Sequence, residues 1–88
     1  MYLHLGCNEV VHLDDVVAIF DLSILETGKA AQDFLAVAQM EGKVTDLSQG
    51  RAKAFVVTRD AVYLSPITSS TLYRRGRFFS RRSLSLRD

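Results

Sequence analysis

Apolar and polar positions alternate with a period of two where the chain begins. "YLHL" at 2–5 and "VVHL" at 10–13 carry the pattern, and "GCNE" between them supplies turn residues. This predicts a β-hairpin in which Gly6 and Asn8 take positive φ. "DD" at 14–15 interrupts it. "VVAIF" at 16–20 is apolar on both faces, which predicts a central, buried strand. "DLSILETGK" at 21–29 reads as a polar connector. The period then changes. Ala31, Phe34, Leu35 and Ala38 recur at i, i+3, i+4 and i+7, opposite Gln32, Asp33, Gln39 and Glu41. The spacing predicts a helix over 30–41 with one apolar stripe, fit to lie on one face of a sheet. Thr27 is its expected N-cap, and Gly42 stands where a helix end favours positive φ.

Period two returns afterwards. "KVTDL" at 43–47 is a weak strand, while "KAFVVT" at 53–58 and "AVYLS" at 61–65 are strong ones joined by "RD". They predict a second hairpin with Phe55, Val57, Val62 and Leu64 in the core. Pro66 cannot donate to a ladder and should end the sheet. "SSTLYRR" opens a short helix, with Ser69 or Ser70 as its cap, Arg74 and Arg75 in its last turn and Gly76 as its stop. Beyond it, residues 77–88 are mainly serine and arginine and read as a flexible basic tail, with Phe78 and Phe79 as anchors. The order of elements predicts an α+β fold: a small, mostly antiparallel sheet, one main helix packed on it, and a short C-terminal helix. Residues 1–76 form one domain in this reading.

Composition narrows the class. Eighty-eight residues leave room for one core. The hydrophobic share of 48% and charged share of 24% are those of a soluble globular protein. A chain of this size buries only about 60–65% of its unfolded surface and gains from self-association. Cys7 is the single cysteine, so no intramolecular disulfide can form, which fits a reducing compartment. No apolar run approaches the length of a membrane span, and "MYLHLGCNEV" lacks the regions of a signal peptide. A cytoplasmic protein without membrane contact is expected.

Charge is what departs from the ordinary. The chain is nearly neutral at +1, yet residues 1–50 carry two lysines against eight carboxylates, a balance of −6. Residues 51–88 carry nine basic groups against Asp60 and Asp88, a balance of +7. Such asymmetry points to a polyanionic partner, or to copies that set the acidic half of one against the basic half of the next. Arg51 and Lys53 flank the turn at Gly50, and Arg74, Arg75 and Arg77 follow the final strand. Arginine offers forked donors that match phosphate oxygens, and phosphate binding needs no cavity.

Other chemistries find little support. His4, Cys7 and His12 give H-x2-C-x4-H, with Asp14 as a possible fourth ligand, but the spacing matches no familiar zinc framework. The Gly28-Lys29 pair lacks the earlier glycine and the following Ser or Thr of a phosphate loop. No G-x-S-x-G elbow accompanies the histidines, and Asp14 and Asp15 are adjacent and so point apart. No catalytic residue, metal or cofactor is expected.

Four segments taken together resemble a known family. "MYLHLG" at the start, "VVHLDDVVAIFD" at 10–21, "KAFVVT" at 53–58 and "VYLSPITSSTL" at 62–72 are similar in order and spacing to the extracellular matrix regulatory proteins, the RemA/RemB family, and most so to the RemB branch. The resemblance covers residues 1–75 and fades across the tail. It implies a DNA-binding regulator of biofilm-matrix genes that works as a homo-oligomer, ring-like in the RemA branch, and touches DNA through basic loop residues. The RemA-branch turn that carries adjacent arginines after a glycine reads Gly50-Arg51-Ala52-Lys53 here. A further basic position of that branch, at the start of the third strand, reads Asp15. The expected contacts with the phosphate backbone of double-stranded DNA are therefore Arg51, Lys53, Arg74, Arg75 and Arg77. The competing expectation is a homo- or hetero-oligomerising protein–protein module with no nucleic-acid role.

Overall fold

In the computed structural model, which describes residues 1–76, the elements run β1 (Tyr2–Gly6), β2 (Glu9–His12), β3 (Val16–Asp21), α1 (Ile24–Thr27), α2 (Lys29–Met40), β4 (Val44–Asp46), β5 (Ala54–Thr58), β6 (Val62–Ser65) and α3 (Ser69–Arg75). The fold is α+β. β1 and β2 form a separate antiparallel hairpin, and the remaining strands make a four-stranded sheet in the order β3-β5-β6-β4. β5 pairs antiparallel with both β3 and β6, whereas β4 runs parallel to β6.

β5 divides the molecule. Ala54 and Val56 point to one side, into a core shared with Leu3, Leu5, Val11 and Leu13 of the hairpin region, Val16 and Ile19 of β3, and Leu72 of α3. Phe55 points to the other, where Ala38 of α2 and Val62 are buried beside Phe20, Leu35, Val57 and Leu64. Phe20 and Phe55 stack with ring centroids 5.0 Å apart. The result is three layers: the hairpin with α3, the sheet, and α1 with α2.

Several expectations need correction. β3 lies at the edge of the sheet, not at its centre. Its apolar run reports two covered faces, Ile19 on one and Phe20 on the other. Its open side is partly closed by Tyr73, whose hydroxyl donates to the Ile19 carbonyl at 3.0 Å. A bulge between Val16 and Ala18 reverses the alternation, burying Val16 and leaving Val17 exposed. The connector at 21–29 contains a helical turn, so Thr27 ends α1 and does not cap α2, which starts after Gly28 without a side-chain cap. Phe34 is 45% exposed, because the stripe that meets the sheet runs through Leu35 and Ala38. The cap of α3 is Thr68, whose hydroxyl accepts from the Thr71 amide, while Ser69 turns toward Asp21.

The hairpin is fastened to the sheet at one buried polar point. Ser65 is fully buried; its hydroxyl donates to the Leu5 carbonyl at 2.7 Å and accepts from the Ile67 amide at 3.0 Å. Next to it, Gly6 has φ +108°, and an added Cβ would lie 3.1 Å from the Pro66 ring. Glycine alone suits both the dihedral and the close approach. Replacing Ser65 with Ala leaves the buried Leu5 carbonyl and the partly buried Ile67 amide short of a partner, at a cost of about 1–3 kcal/mol. Thermal melts should show a drop of roughly 4–8 °C for each kcal/mol. The exposed Ser70→Ala should melt like the parent; equal melting of all three proteins would contradict the role of Ser65.

Candidate nucleic-acid interface

The loop after β4 is short of apolar residues but not of order. Asp46 ends the strand, and its carboxylate accepts from the Ser48 amide at 2.8 Å, from the Ser48 hydroxyl at 2.5 Å and from the Gly50 amide at 3.2 Å. Gln49 and Gly50 take positive φ, 56° and 84°. A glutamine rarely sits there, and the carboxylate anchor holds the turn in place. The Arg51 amide donates to the Ser48 carbonyl, and the Lys53 amide to the Ser65 carbonyl at 2.8 Å. Both side chains leave this fixed backbone exposed.

The other predicted cations lie elsewhere. Arg74 and Arg75 occupy the last turn of α3, where they complement the helix dipole. Arg77 lies outside the described residues. α3 begins beside Asp21, through the Ser69 hydroxyl at 3.4 Å, and ends with Gly76 against Leu13 and Leu3. Asp21 pairs with Ala54, next to Lys53, whereas Leu13 precedes the opposite end of β3. Arg51 and Lys53 therefore sit at one end of the sheet and Arg75 at the other. The six residues of β3, roughly 17–20 Å of strand, separate the two ends. One protomer does not gather them into a single patch.

Ion pairing sorts the cations further. Lys29 meets Asp33 at 2.9 Å, Lys43 meets Glu41 at 3.4 Å, and Arg59 meets Asp15 at 3.9 Å. Arg51, Lys53, Arg74 and Arg75 have no carboxylate partner among the described residues. Arg74 instead donates to the Thr71 hydroxyl. Arg59 was missed by sequence reasoning. Its amide donates to the Asp15 carbonyl, so the turn after β5 carries a cation to the acidic position that departs from the RemA pattern.

Beside the Arg51 loop lies an open cleft of about 580 Å³, lined by Asp21, Ser23, Glu26, Lys53 and Thr68, with Leu22 and Leu25. The Asp21 carboxyl is held below its ordinary value, first by the Ser23 amide, then by the Ser23 and Ser69 hydroxyls. It stays ionised at neutral pH and lends the cleft a negative wall. Lys53 shares that cleft, so Arg51 presents the less compensated charge. His4 and His12 lie on the outward face of the hairpin, and Cys7 is exposed in its turn. No group of three His, Cys, Asp or Glu side chains converges among the described residues. Nor is any described helix long and apolar enough to cross a membrane.

A family model described as RemA-like, extracellular matrix regulatory protein A-like, matches residues 2–75. Extracellular matrix regulatory protein B of Bacillus subtilis is 38% identical over 78 residues, which span 89% of this chain and 93% of that protein. The matched family region contains the Arg51 loop, Arg74 and Arg75, and stops short of Arg77.

The Asp46 anchor has a pH signature. Its carboxyl is held below the ordinary 3.8, chiefly by the Ser48 hydroxyl and then by the Ser48 amide. A carboxylate that binds its proton less tightly when folded stabilises the loop above its unfolded value. That contribution is lost as pH falls through the lower, folded value. An NMR titration should give Asp46 a midpoint under 3.8, with the Ser48 and Gly50 amide signals moving in step. A midpoint at or above 3.8 would show that the anchor does not form.

Proposed function

The chain belongs to the RemA-like family of extracellular matrix regulatory proteins, and on that premise we propose that it is a DNA-binding regulator of matrix genes that acts as a homo-oligomer. The observation that carries the reading is the uncompensated arginine on a braced loop. Lys29, Lys43 and Arg59 spend their charge on carboxylates of the same chain, and Arg51 does not. A backbone held by Asp46 loses little further entropy when Arg51 meets a phosphate.

Arg51 is the principal contact and Lys53 assists it. Arg74 and Arg75 form a second contact at the far end of the sheet, and Arg77, which follows in the sequence, adds its charge to theirs. These groups position the protein on the phosphate backbone and do not read bases. One protomer offers few such contacts, so affinity comes from repetition: linked copies raise avidity without new interactions. Asp15, balanced by Arg59, adds little net repulsion. The protein acts without catalysis or a cofactor.

Filter binding to duplex DNA at several salt concentrations tests this. Log affinity should fall with log salt by about 0.9 for every phosphate neutralised. Arg51→Ala should flatten that slope by close to this amount for each engaged protomer, and Arg75→Ala should flatten it less. Lys29→Ala, which removes an already paired cation, should leave it unchanged. A salt-independent affinity, or Lys29→Ala matching Arg51→Ala, would overturn the reading and favour a protein–protein module.

A further inference from the structure

The cations grip a backbone that is alike along every duplex, so discrimination between sequences falls to another group. Base edges are read by side chains with matching donors and acceptors, and Gln and Asn match adenine. In the loop at 47–53, Ser48 is 7% exposed and its hydroxyl donates to Asp46. Leu47 and Ala52 are apolar, Gly50 has no side chain, and Arg51 and Lys53 carry the charge that phosphate takes. Gln49 is the residue that is left. It is exposed, and its side chain makes no hydrogen bond with any described residue.

Its place in the turn is unusual. Gln49 and Gly50 have φ of 56° and 84°, and the Arg51 amide donates to the Ser48 carbonyl at 3.2 Å. These are the marks of a type I′ turn with Gln49 at its first central position. Asn, Asp or Gly ordinarily stands there, because Asn and Asp tolerate the left-handed region and bond to their own backbone. Gln49 instead holds a full side chain at positive φ and returns no bond to the fold. The Asp46 carboxylate keeps it there by accepting from the amides of Ser48 and Gly50, on either side of it. An outlier maintained by its surroundings in this way points to a use outside the fold. Size agrees: a four-residue turn closes to under about 7 Å between its end Cα atoms, and the major groove of B-DNA is about 12 Å wide.

We propose that Gln49 reads an adenine in the major groove, its side-chain amide donating to N7 and accepting from the N6 amino group, while Arg51, two residues on, holds a nearby phosphate. The proposal rests on the functional reading above and adds to it the determinant of sequence. In the free protein the amide is solvated. On DNA it exchanges water for a base edge that sets an acceptor beside a donor. Guanine and thymine offer acceptors alone and leave the amide oxygen unpaired; cytosine offers a donor alone and leaves the nitrogen unpaired. Either mismatch is costly where water is excluded.

Selection by the full chain from duplexes with a randomised central stretch tests it, with Gln49→Gly as the variant. Glycine suits positive φ, so the loop keeps its shape and the melting temperature should not fall. The parent should enrich an adenine at a fixed position. Replacing that adenine should weaken the parent by about 5- to 150-fold, the discrimination of one bidentate pair. Removing its N7 alone, with 7-deazaadenine, should also weaken the parent. Gln49→Gly should bind the selected and the altered duplexes alike and keep the parent's salt slope, since no phosphate contact is lost. A parent without base preference, an adenine preference that survives Gln49→Gly, a lost preference for a different base, or a salt slope lost together with the preference would each overturn this proposal and leave phosphate-led binding in place. A parent that binds no duplex would overturn the functional reading and this proposal with it.

Discussion

Everything in this molecule follows from a central strand that has no solvent face. Ala54, Phe55 and Val56 are consecutive and buried, so β5 demands cover on both sides. A chain of this length meets the demand with little material: one hairpin and a short helix on one side, α2 on the other. Each cover is thin. Once its inward residues are committed, the outward residues of the same element remain at the surface. That is why the hairpin shows Tyr2 and Val10, and α2 shows Phe34 and Val37.

The cationic loop depends on the strand as well. β5 must enter the centre of the sheet from β4 at its edge, and residues 47–53 make that crossing. Asp46 at one end and the Lys53–Ser65 hydrogen bond at the other leave the crossing little freedom. Arg51 therefore projects from a place that the core itself determines. Arg74 and Arg75 are placed by a different constraint, the packing of Leu72 and Gly76 against the hairpin side, and so end at the far edge. Among the described residues, the cations without a carboxylate partner lie in two places.

Much of this was legible in the residues. The two hairpins, α2, the stop at Pro66 and the arginines of the last turn of α3 all rest on local signals: turn residues, period and capping chemistry. What escaped was non-local. The run "VVAIF" cannot distinguish a strand with two neighbours from an edge strand covered on both faces, because composition reports burial and not pairing. Thr27 looked like a cap because the helical turn at Ile24–Thr27 is too short to show a period. Phe34 reads as inward because i+3 and i+4 both belong to an apolar stripe, and only the position of the sheet decides between them. The pairing of Arg59 with Asp15 depends on the β3–β5 register, which no window of sequence contains. The order and spacing of four segments resembled the RemA/RemB family closely enough to anticipate the match over residues 2–75.

The central claim is that DNA is held by cations left uncompensated by the fold, with the braced loop foremost. Hydrogen-exchange mass spectrometry of the full chain, with and without a short duplex, examines it most directly. The account predicts slowed exchange across residues 47–53 and, to a lesser degree, at the end of α3, with the Lys29 end of α2 unaltered. Protection confined to α2, or identical exchange in the two samples while DNA is bound, would contradict it.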